Sequence, residues 1–411
     1  MKFAASWLDA GIEQAIDSLK AKVSAPLSIE LWDGRVFSLG PESKVRMKLP
    51  HAASLKHFVR PTLGSLAAAY VEGELEIEGP LRDVIGVADA LANSAGVSAW
   101  ERVARAAGKH SQKIDRDAIR RHYDVSNDFY RLWLDRRMVY SCAYFRSGTE
   151  DLDTAQTQKL DHICRKLMLK AGEKFLDIGC GWGGLVIHAV QNYGVDATGI
   201  TLSENQFQIA QERIAAAGLQ RRCKVLLLDY RDLKGEGVFD KIASIGMFEH
   251  VGLRNLPTYF GAVRRLLRER GLFLNHGITS SDAESREIGS DAGGFIDKYV
   301  FPHGELPHVA LALREMAAQN LEVADVESLR PHYAKTLEHW SDRLEARLAD
   351  AAKLVDQKTL RVWRLYLMGC SYGFAQGWMN IYQILASRQT QAGRTELPWT
   401  REYMYPERVG G

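Results

Sequence analysis

An α/β protein, with a mainly parallel sheet preceded by a small α+β domain, is what the sequence predicts. From residue 173 onward, short apolar runs alternate with stretches of helical spacing, the pattern of βαβ units. Before residue 100 the pattern is instead β-rich, with apolar residues at every second position. A chain of 411 residues suits two domains. The cut is expected at 105, giving a small N-terminal domain at 1–105 and a larger α/β domain at 106–411.

Taken in order, residues 27–40 read as a hairpin, with Ile29 and Leu31 on one face, an Asp33-Gly34 turn, then Val36 and Phe37. Val45, Met47 and Leu49 alternate with charged residues, as do Leu75 and Ile77, and residues 61–70 suit a short helix. Residues 101–121 carry seven Lys or Arg against three acids in a helical linker. Such a run is either a solvated face or a patch for anionic lipid headgroups. Strands are expected at Phe175–Ile178, Ala197–Ile200, Val225–Leu228, Lys241–Ile245 and Leu272–Asn275, with crossover helices at Ser203–Ala217 and Leu256–Leu267. The tail from Gln357 to Ser387 has helical spacing throughout and is rich in aromatic residues.

Composition narrows the partners. Apolar residues make up 46% and charged residues 25%, which excludes a disordered, collagenous or coiled-coil chain. A net charge of +2 gives no global field for nucleic acid. Five cysteines without a C-x-x-C pair indicate neither a disulfide framework nor a zinc knuckle, so a reducing cytoplasm and no resident metal are expected. No run of 18 apolar residues occurs, so no membrane span is expected.

The run FLDIGCGWGG (175–184) sets a strand, a D-x-G-x-G-x-G turn and a helix start in sequence. Glycines there let the backbone approach a ligand closely. Asp177 ahead of Gly179, Gly181 and Gly183 would repel a pyrophosphate but suits the cationic amino-acid end of S-adenosylmethionine. The second strand ends on Thr201, where many nucleotide folds place a carboxylate for the ribose, and Thr201 or Gln206 can hydrogen-bond ribose oxygens. Asp229 and Tyr230 then offer a carboxylate and an aromatic face to the adenine, although Tyr230 can equally be a packing residue.

With these motifs the chain resembles the cyclopropane fatty acid synthases, the family that includes the mycolic acid cyclopropane synthases. The matching stretches are HYDVSNDFY (122–130), YSCAYF (140–145), LDIGCGWGG (176–184), GITLSENQ (199–206), SIGMFEHVG (244–252), NHGI (275–278), PHYAKTLEHW (331–340) and YLMGC (366–370). The stretch LGSLAAAYVEGELEIEG (63–79) resembles the extra N-terminal domain of members that act on phospholipid. The resemblance implies a class I S-adenosylmethionine-dependent methyltransferase with a Rossmann-like fold. It also implies methyl transfer to a cis double bond of a phospholipid acyl chain, ring closure, and a bound bicarbonate ion as base.

Carried over by position, the resemblance puts Tyr123, Gly179, Gly181, Thr201, Gln206 and Tyr230 at the cofactor. Cys142, Glu249, His276, Tyr333 and Cys370 fall around the bicarbonate, with Ile278 contributing backbone. Two departures stand out: Tyr230 occupies a place often held by Trp, and Gly277 precedes Ile278 where a Thr-Ile pair is common.

The chemistry gives these residue types a reason. An alkene is a poor nucleophile and must be held in line with the sulfonium methyl. Methyl addition leaves a carbocation, which calls for a dry site with aromatic faces. Tyr123, Phe129, Tyr130, Trp133, Tyr140, Tyr144, Phe145 and Phe248 are the candidate tunnel wall, each individually as well explained by core packing. Donors such as His276 and Tyr333 suit a small anion, and Glu249 can order it.

Three rivals remain open. One is an N-methyltransferase of related architecture; a second is a methylene- or methyl-branching acyl methyltransferase; a third is a non-catalytic lipid-binding protein. Expected partners are an unsaturated phospholipid and the anionic inner face of a membrane, contacted peripherally from the cytoplasm, and no nucleic acid. A homodimer is one assembly state open to the chain.

Overall fold

The computed structural model describes residues 14, 16, 17, 19–21, 24–59, 61–94, 125–285, 292–300, 305–390 and 397–405. The expected linker helix at 101–121 and the cofactor candidate Tyr123 lie outside the described residues. The chain divides into two compact units. The first comprises Met1–Arg105 together with Ser290–Val300 and Val355–Tyr372, and the second holds the remainder. The division is thus not the single cut at 105 that the sequence suggests.

In the first unit, strands β1 (Leu27–Glu30), β2 (Val36–Ser38), β3 (Val45–Lys48) and β4 (Glu76–Glu78) form a sheet in the order β2-β1-β3-β4. The Asp33-Gly34 hairpin forms as expected: the Leu31 amide donates to Arg35 O, and Gly34 takes a positive φ of 85°. Leu27, Ile29, Val45 and Met47 pack with Leu66, Leu75 and Leu91 from the helices Leu63–Val71 and Leu81–Ser94 and the turn between. Segments far along the chain complete this unit. Lys358 and the Tyr299 hydroxyl both reach Glu72, and Arg361, buried, donates to the Tyr70 carbonyl at 2.6 Å. These long-range charge-assisted bonds leave no signal in local sequence, which is why a linear cut misses them.

The second unit is built on a seven-stranded sheet. Its strands are β5 (Lys174–Ile178), β6 (Asp196–Thr201), β7 (Cys223–Leu227), β8 (Phe239–Ile245), β9 (Leu267–Ser280), β10 (Leu321–Ser328) and β11 (Met379–Arg388), in the order β10-β11-β9-β8-β5-β6-β7. Strands β5 to β9 run parallel, and β11 lies antiparallel between β9 and β10. Alternation along β5 explains how both faces are covered. Phe175 joins one apolar layer with residues of helices Leu152–Lys166 and Gly184–Tyr193, while Leu176 and Ile178 join the other with residues of helix Leu256–Leu266.

The expected helix over the whole tail is corrected here: helix Gln357–Gln376 stops, and β11 begins at Met379. Gly377, at φ 78°, takes the left-handed conformation that ends the helix, with the Trp378 amide returning to the Gly373 carbonyl. Beyond it the apolar residues are buried on both faces, as an interior strand requires, and periodicity alone cannot separate that pattern from a helix.

Candidate active site

The carboxyl ends of β5, β6 and β8 and the turn after β7 meet around one cavity, at the edge where open α/β sheets bind ligands. Gly179 and Gly181 line it, both with positive φ. A Cβ on Gly181 would point into open space, so a side chain there would take up room a ligand uses. Gly183 does not line the cavity. A Cβ there would meet the Ala210 side chain at 3.3 Å, so this glycine serves close packing against helix Glu204–Ala216, a correction to its expected cofactor role.

Asp177, at the end of β5, is 2% exposed, and its Oδ1 has no hydrogen-bond partner. Burial pushes its carboxyl up to about 7, with Lys159 opposing the shift. An unpartnered buried carboxylate beside an open glycine turn fits the cationic end of S-adenosylmethionine. At the end of β6 the Thr201 hydroxyl donates to Gln206 Oε1 at 2.9 Å and accepts from the Ser203 amide. The two side chains are thereby set together on the cavity wall, leaving Gln206 Nε2 to donate to a hydroxyl.

Tyr230 also lines the cavity, its ring edge-on to Tyr259 at 5.4 Å and beneath the Arg231 guanidinium at 5.3 Å. Asp229 is spent differently from the expectation. It accepts from the Arg231 amide and pairs with the guanidinium at 2.7 Å, so its carboxylate is committed within its own turn.

The second group of residues gathers where β8 ends. Ile245 is the last residue of β8 and pairs with His276 on β9, and the Gly246 amide still donates to His276 O. Two residues further along that edge of β9, the Ile278 amide has passed the end of β8 and donates to Glu249 Oε1 at 2.7 Å. Ile278, expected to offer this donor to bicarbonate, is therefore engaged with the carboxylate. The other oxygen, Glu249 Oε2, is buried without a partner, and burial pushes the carboxyl up to about 7.

His276 is fully buried, which keeps its ring neutral. Gln383, also fully buried and facing it across the β9–β11 pair, sets its Nε2 3.2 Å from His276 Nδ1. With the amide donating to Nδ1, the ring hydrogen sits on Nε2, which has no partner. Gln383 carries no motif signal, and sequence reasoning missed it.

A relay of short contacts brings Tyr333 and Cys142 to the same edge. Ile278 pairs with Ile381, whose carbonyl accepts the Leu329 amide; the Leu329 carbonyl in turn accepts the Tyr333 amide and lies 3.9 Å from Cys142 Sγ. Burial keeps the Cys142 thiol protonated by pushing its pKa far up. Cys370 is buried in helix Gln357–Gln376, within the segment that belongs to the first unit, and its thiol is pushed up to about 12. Neither thiol is a nucleophile at neutral pH.

Rings form a continuous series from the glycine turn toward Tyr333. Trp182 to Tyr130 is 5.1 Å between centroids, Tyr130 to Tyr140 5.6 Å, Tyr140 to Trp340 5.2 Å and Trp340 to Tyr333 6.0 Å. Trp182 Nε1 donates to Asn127 Oδ1, which joins the turn to the first motif. The expected tunnel wall separates into parts. Phe129 and Trp133 are core residues of this ring series, Tyr144 stacks between His162 and His332, Phe145 stacks on His339, and Phe248 packs against Phe260. Among the described residues, no group of three His, Cys, Asp or Glu side chains could hold a metal ion.

Comparison with known proteins gives this geometry a family context. Residues 110–384 match the family described as mycolic acid cyclopropane synthetase, and residues 16–98 match a domain family of unknown function. A Pseudomonas putida relative described as a probable fatty acid methyltransferase is 49% identical over 380 residues, covering 92% of this chain and 96% of the relative. The cyclopropane-fatty-acyl-phospholipid synthase of Escherichia coli strain K12 is 38% identical over 272 residues, covering 66% of this chain and 68% of that one. The crystal structure of mycolic acid cyclopropane synthase CmaA1 complexed with SAH and CTAB superposes with a TM-score of 0.63 at 36% identity, covering 66% of this chain and 98% of that one.

Two outcomes follow from this geometry. A Cβ on Gly277 would come within 2.7 Å of the buried Phe248 ring, which directly precedes Glu249. Gly277→Ala is therefore expected to lower stability by about 1 to 3 kcal/mol and to reduce turnover, with Phe248→Leu restoring part of both. Denaturant unfolding and activity of the single and double variants check this. For Asp177, the folded value lies above the ordinary one, so the stability tied to this carboxyl is complete below about pH 4 and is lost as pH rises through about 7. The ligand-free Asp177→Asn variant should gain on wild type across that window, by an amount on the order of a few kcal/mol, and level off above it. Unfolding titrations at a series of pH values measure the difference.

Proposed function

We propose that this chain, a member of the mycolic acid cyclopropane synthetase family and so an S-adenosylmethionine-dependent methyltransferase of unsaturated fatty acyl chains, closes a cyclopropane ring on phospholipid acyl chains. The observation that carries the proposal is the pair of buried, unpartnered atoms at the end of β8: an acceptor, Glu249 Oε2, and a donor, His276 Nε2. A small anion that also carries a hydroxyl matches such a pair, and bicarbonate is that species. It would supply a weak base, sufficient for a proton made acidic by an adjacent carbocation.

S-adenosylmethionine supplies the methyl group. The chain's own residues bind, orient and exclude water. Asp177, Thr201, Gln206 and Tyr230 hold the cofactor, and Glu249 and His276 hold the base. The rings of Tyr130, Trp340 and Tyr333, which are buried, and of the half-buried Tyr140 offer faces that stabilise positive charge without a nucleophile that would trap it. The protein is proposed to work at the inner face of the membrane, attached peripherally through the basic residues at 102–121. Among the described residues, no helix is long and apolar enough to cross a membrane.

A second reading has its own support. The Pseudomonas putida relative is described as a probable fatty acid methyltransferase; a methylene-branched product would follow if a hydride shift moved the cation to the methyl-bearing carbon before the methyl proton left without ring closure, and a methyl-branched product would follow if a separate hydride donor then reduced that methylene. Expression in a host lacking the activity, with mass spectrometry and NMR of its fatty acids, separates the two. Ring protons with loss of olefinic protons are expected, and a branched methyl or exocyclic methylene would establish the second reading.

Glu249→Gln is expected to leave cofactor affinity within a few-fold of wild type while turnover falls about 10²- to 10⁴-fold. Calorimetry and a turnover assay in saturating cofactor check this. Full wild-type activity in rigorously carbonate-free buffer would remove bicarbonate from the account and make Glu249 the base.

A further inference from the structure

His162 lies in helix Leu152–Lys166, buried, and both of its ring nitrogens face oxygen. Nε2 is 2.8 Å from Glu327 Oε2, and Nδ1 is 3.2 Å from the carbonyl oxygen of Met404. A carbonyl only accepts. Glu327 only accepts as well: burial would raise its carboxyl, but the His162 hydrogen bond and the Lys166 ammonium, 2.5 Å away, bring it down to about 2. Two acceptors leave the ring one way to serve both, a hydrogen on each nitrogen, which is the imidazolium.

The neutral ring serves one of them. With its hydrogen on Nε2 it keeps the ionised Glu327, the stronger acceptor, and turns a bare lone pair on the Met404 carbonyl. Met404 belongs to residues 397–405, which pack on the second unit through its own side chain, Leu397 and Tyr403, in the apolar layer that holds Phe175. Charge also matters on the face of the ring. Tyr144 stacks on His162 at 4.3 Å between centroids, and an imidazolium holds an aromatic face more firmly than a neutral ring does. Tyr144 lies in the 140–145 segment that carries Ser141 and Cys142.

The titratable and charged groups that face His162 among the described residues are Glu327 and Asp325 on β10, Lys166 on its own helix, Tyr144, His332 on helix Arg330–Glu345, His276 on β9, and Arg401 and Tyr405. The other two histidines do not take over the proton. Burial keeps His276 neutral, and His332 is lowered by burial and accepts the Phe145 amide on Nδ1. Burial raises both tyrosines above their ordinary value.

We propose that His162 is a proton-operated latch: charged, it fastens residues 397–405 onto helix Leu152–Lys166 and backs the 140–145 segment, and on losing one proton it releases the Met404 carbonyl and loosens both. Closing the latch takes up a proton, so the closed form is favoured as pH falls and lost as pH rises through the histidine range. The latch is independent of which product the site forms.

Hydrogen–deuterium exchange of the full chain, read by mass spectrometry and corrected for the intrinsic pH dependence of exchange, tests this between about pH 5 and about pH 9. Protection of 397–405 should fall roughly 10- to 100-fold over that span, the worth of a hydrogen bond to a charged donor, with 140–145 following and β5 and β6 unchanged. His162→Gln can still donate to Glu327 but carries no charge, and should hold 397–405 at the open level at every pH. Constant wild-type protection of 397–405, a fall that leaves 140–145 unchanged, or a His162→Gln chain that keeps the wild-type pH dependence overturns the proposal. Should His162→Gln fail to fold, NMR of nitrogen-labelled histidine in the wild type carries the test. The ring must bear a hydrogen on both nitrogens at about pH 5 and on Nε2 alone at about pH 9. A single hydrogen at the lower pH, or two across the whole span, overturns the latch.

Discussion

Where β8 stops at Ile245, β9 runs on, and the Ile278 amide on that edge must find an acceptor other than a neighbouring strand. Glu249 supplies it at 2.7 Å. Much of the site depends on this substitution of a side chain for a ladder rung. It buries a carboxylate that would otherwise face water, spends one oxygen on the backbone and leaves the other unpartnered. The missing side chain at Gly277 lets the Phe248 ring lie against β9, which brings Glu249 within reach. The Gly-Ile pair at this point is thus matched to the Phe-Glu turn opposite it.

Two sets of buried polar groups belong to the second unit. One set, Lys159 and Asp177, lines the cavity at the glycine turn; the other, Glu249 and His276, lies where β8 ends alongside the continuing β9. Residues 141 and 142 join them in sequence: the Ser141 hydroxyl takes the Lys159 ammonium, and the Cys142 thiol approaches the Leu329 carbonyl that also begins the Tyr333 helix. A shift of this segment would disturb both sets at once, which couples placement of the methyl donor to placement of the base in the proposed reaction.

Much of this was legible in the sequence where chemistry and local conformation coincide. The D-x-G-x-G-x-G turn needs positive φ, so its glycines declare the turn, and Glu249 follows the end of β8 as the pattern suggests, whereas the strand expected to end at Asn275 runs on through His276 to Ser280. Gln383 and Lys159 were not legible, because each acts across the sheet or from a helix face and looks locally like any other polar residue. Gly183 shares a motif with Gly179 and Gly181, yet its position is set by contact with Ala210, a residue 27 positions away. The tail departs from the expected helix because β11, an interior strand, buries apolar residues on both faces. The reach of Lys358 and Arg361 to residues 70–76 explains why the division into units escaped a linear reading.

The central claim is that the base held by Glu249 and His276 takes its proton from the methyl group just transferred. Its most direct test is the reaction with S-adenosylmethionine bearing a trideuterated methyl, followed by mass spectrometry of the acyl product. The account predicts that two of the three deuterons remain in the product. Retention of all three would show that the transferred methyl stays intact and that the proton is lost elsewhere, contradicting the assignment of this site.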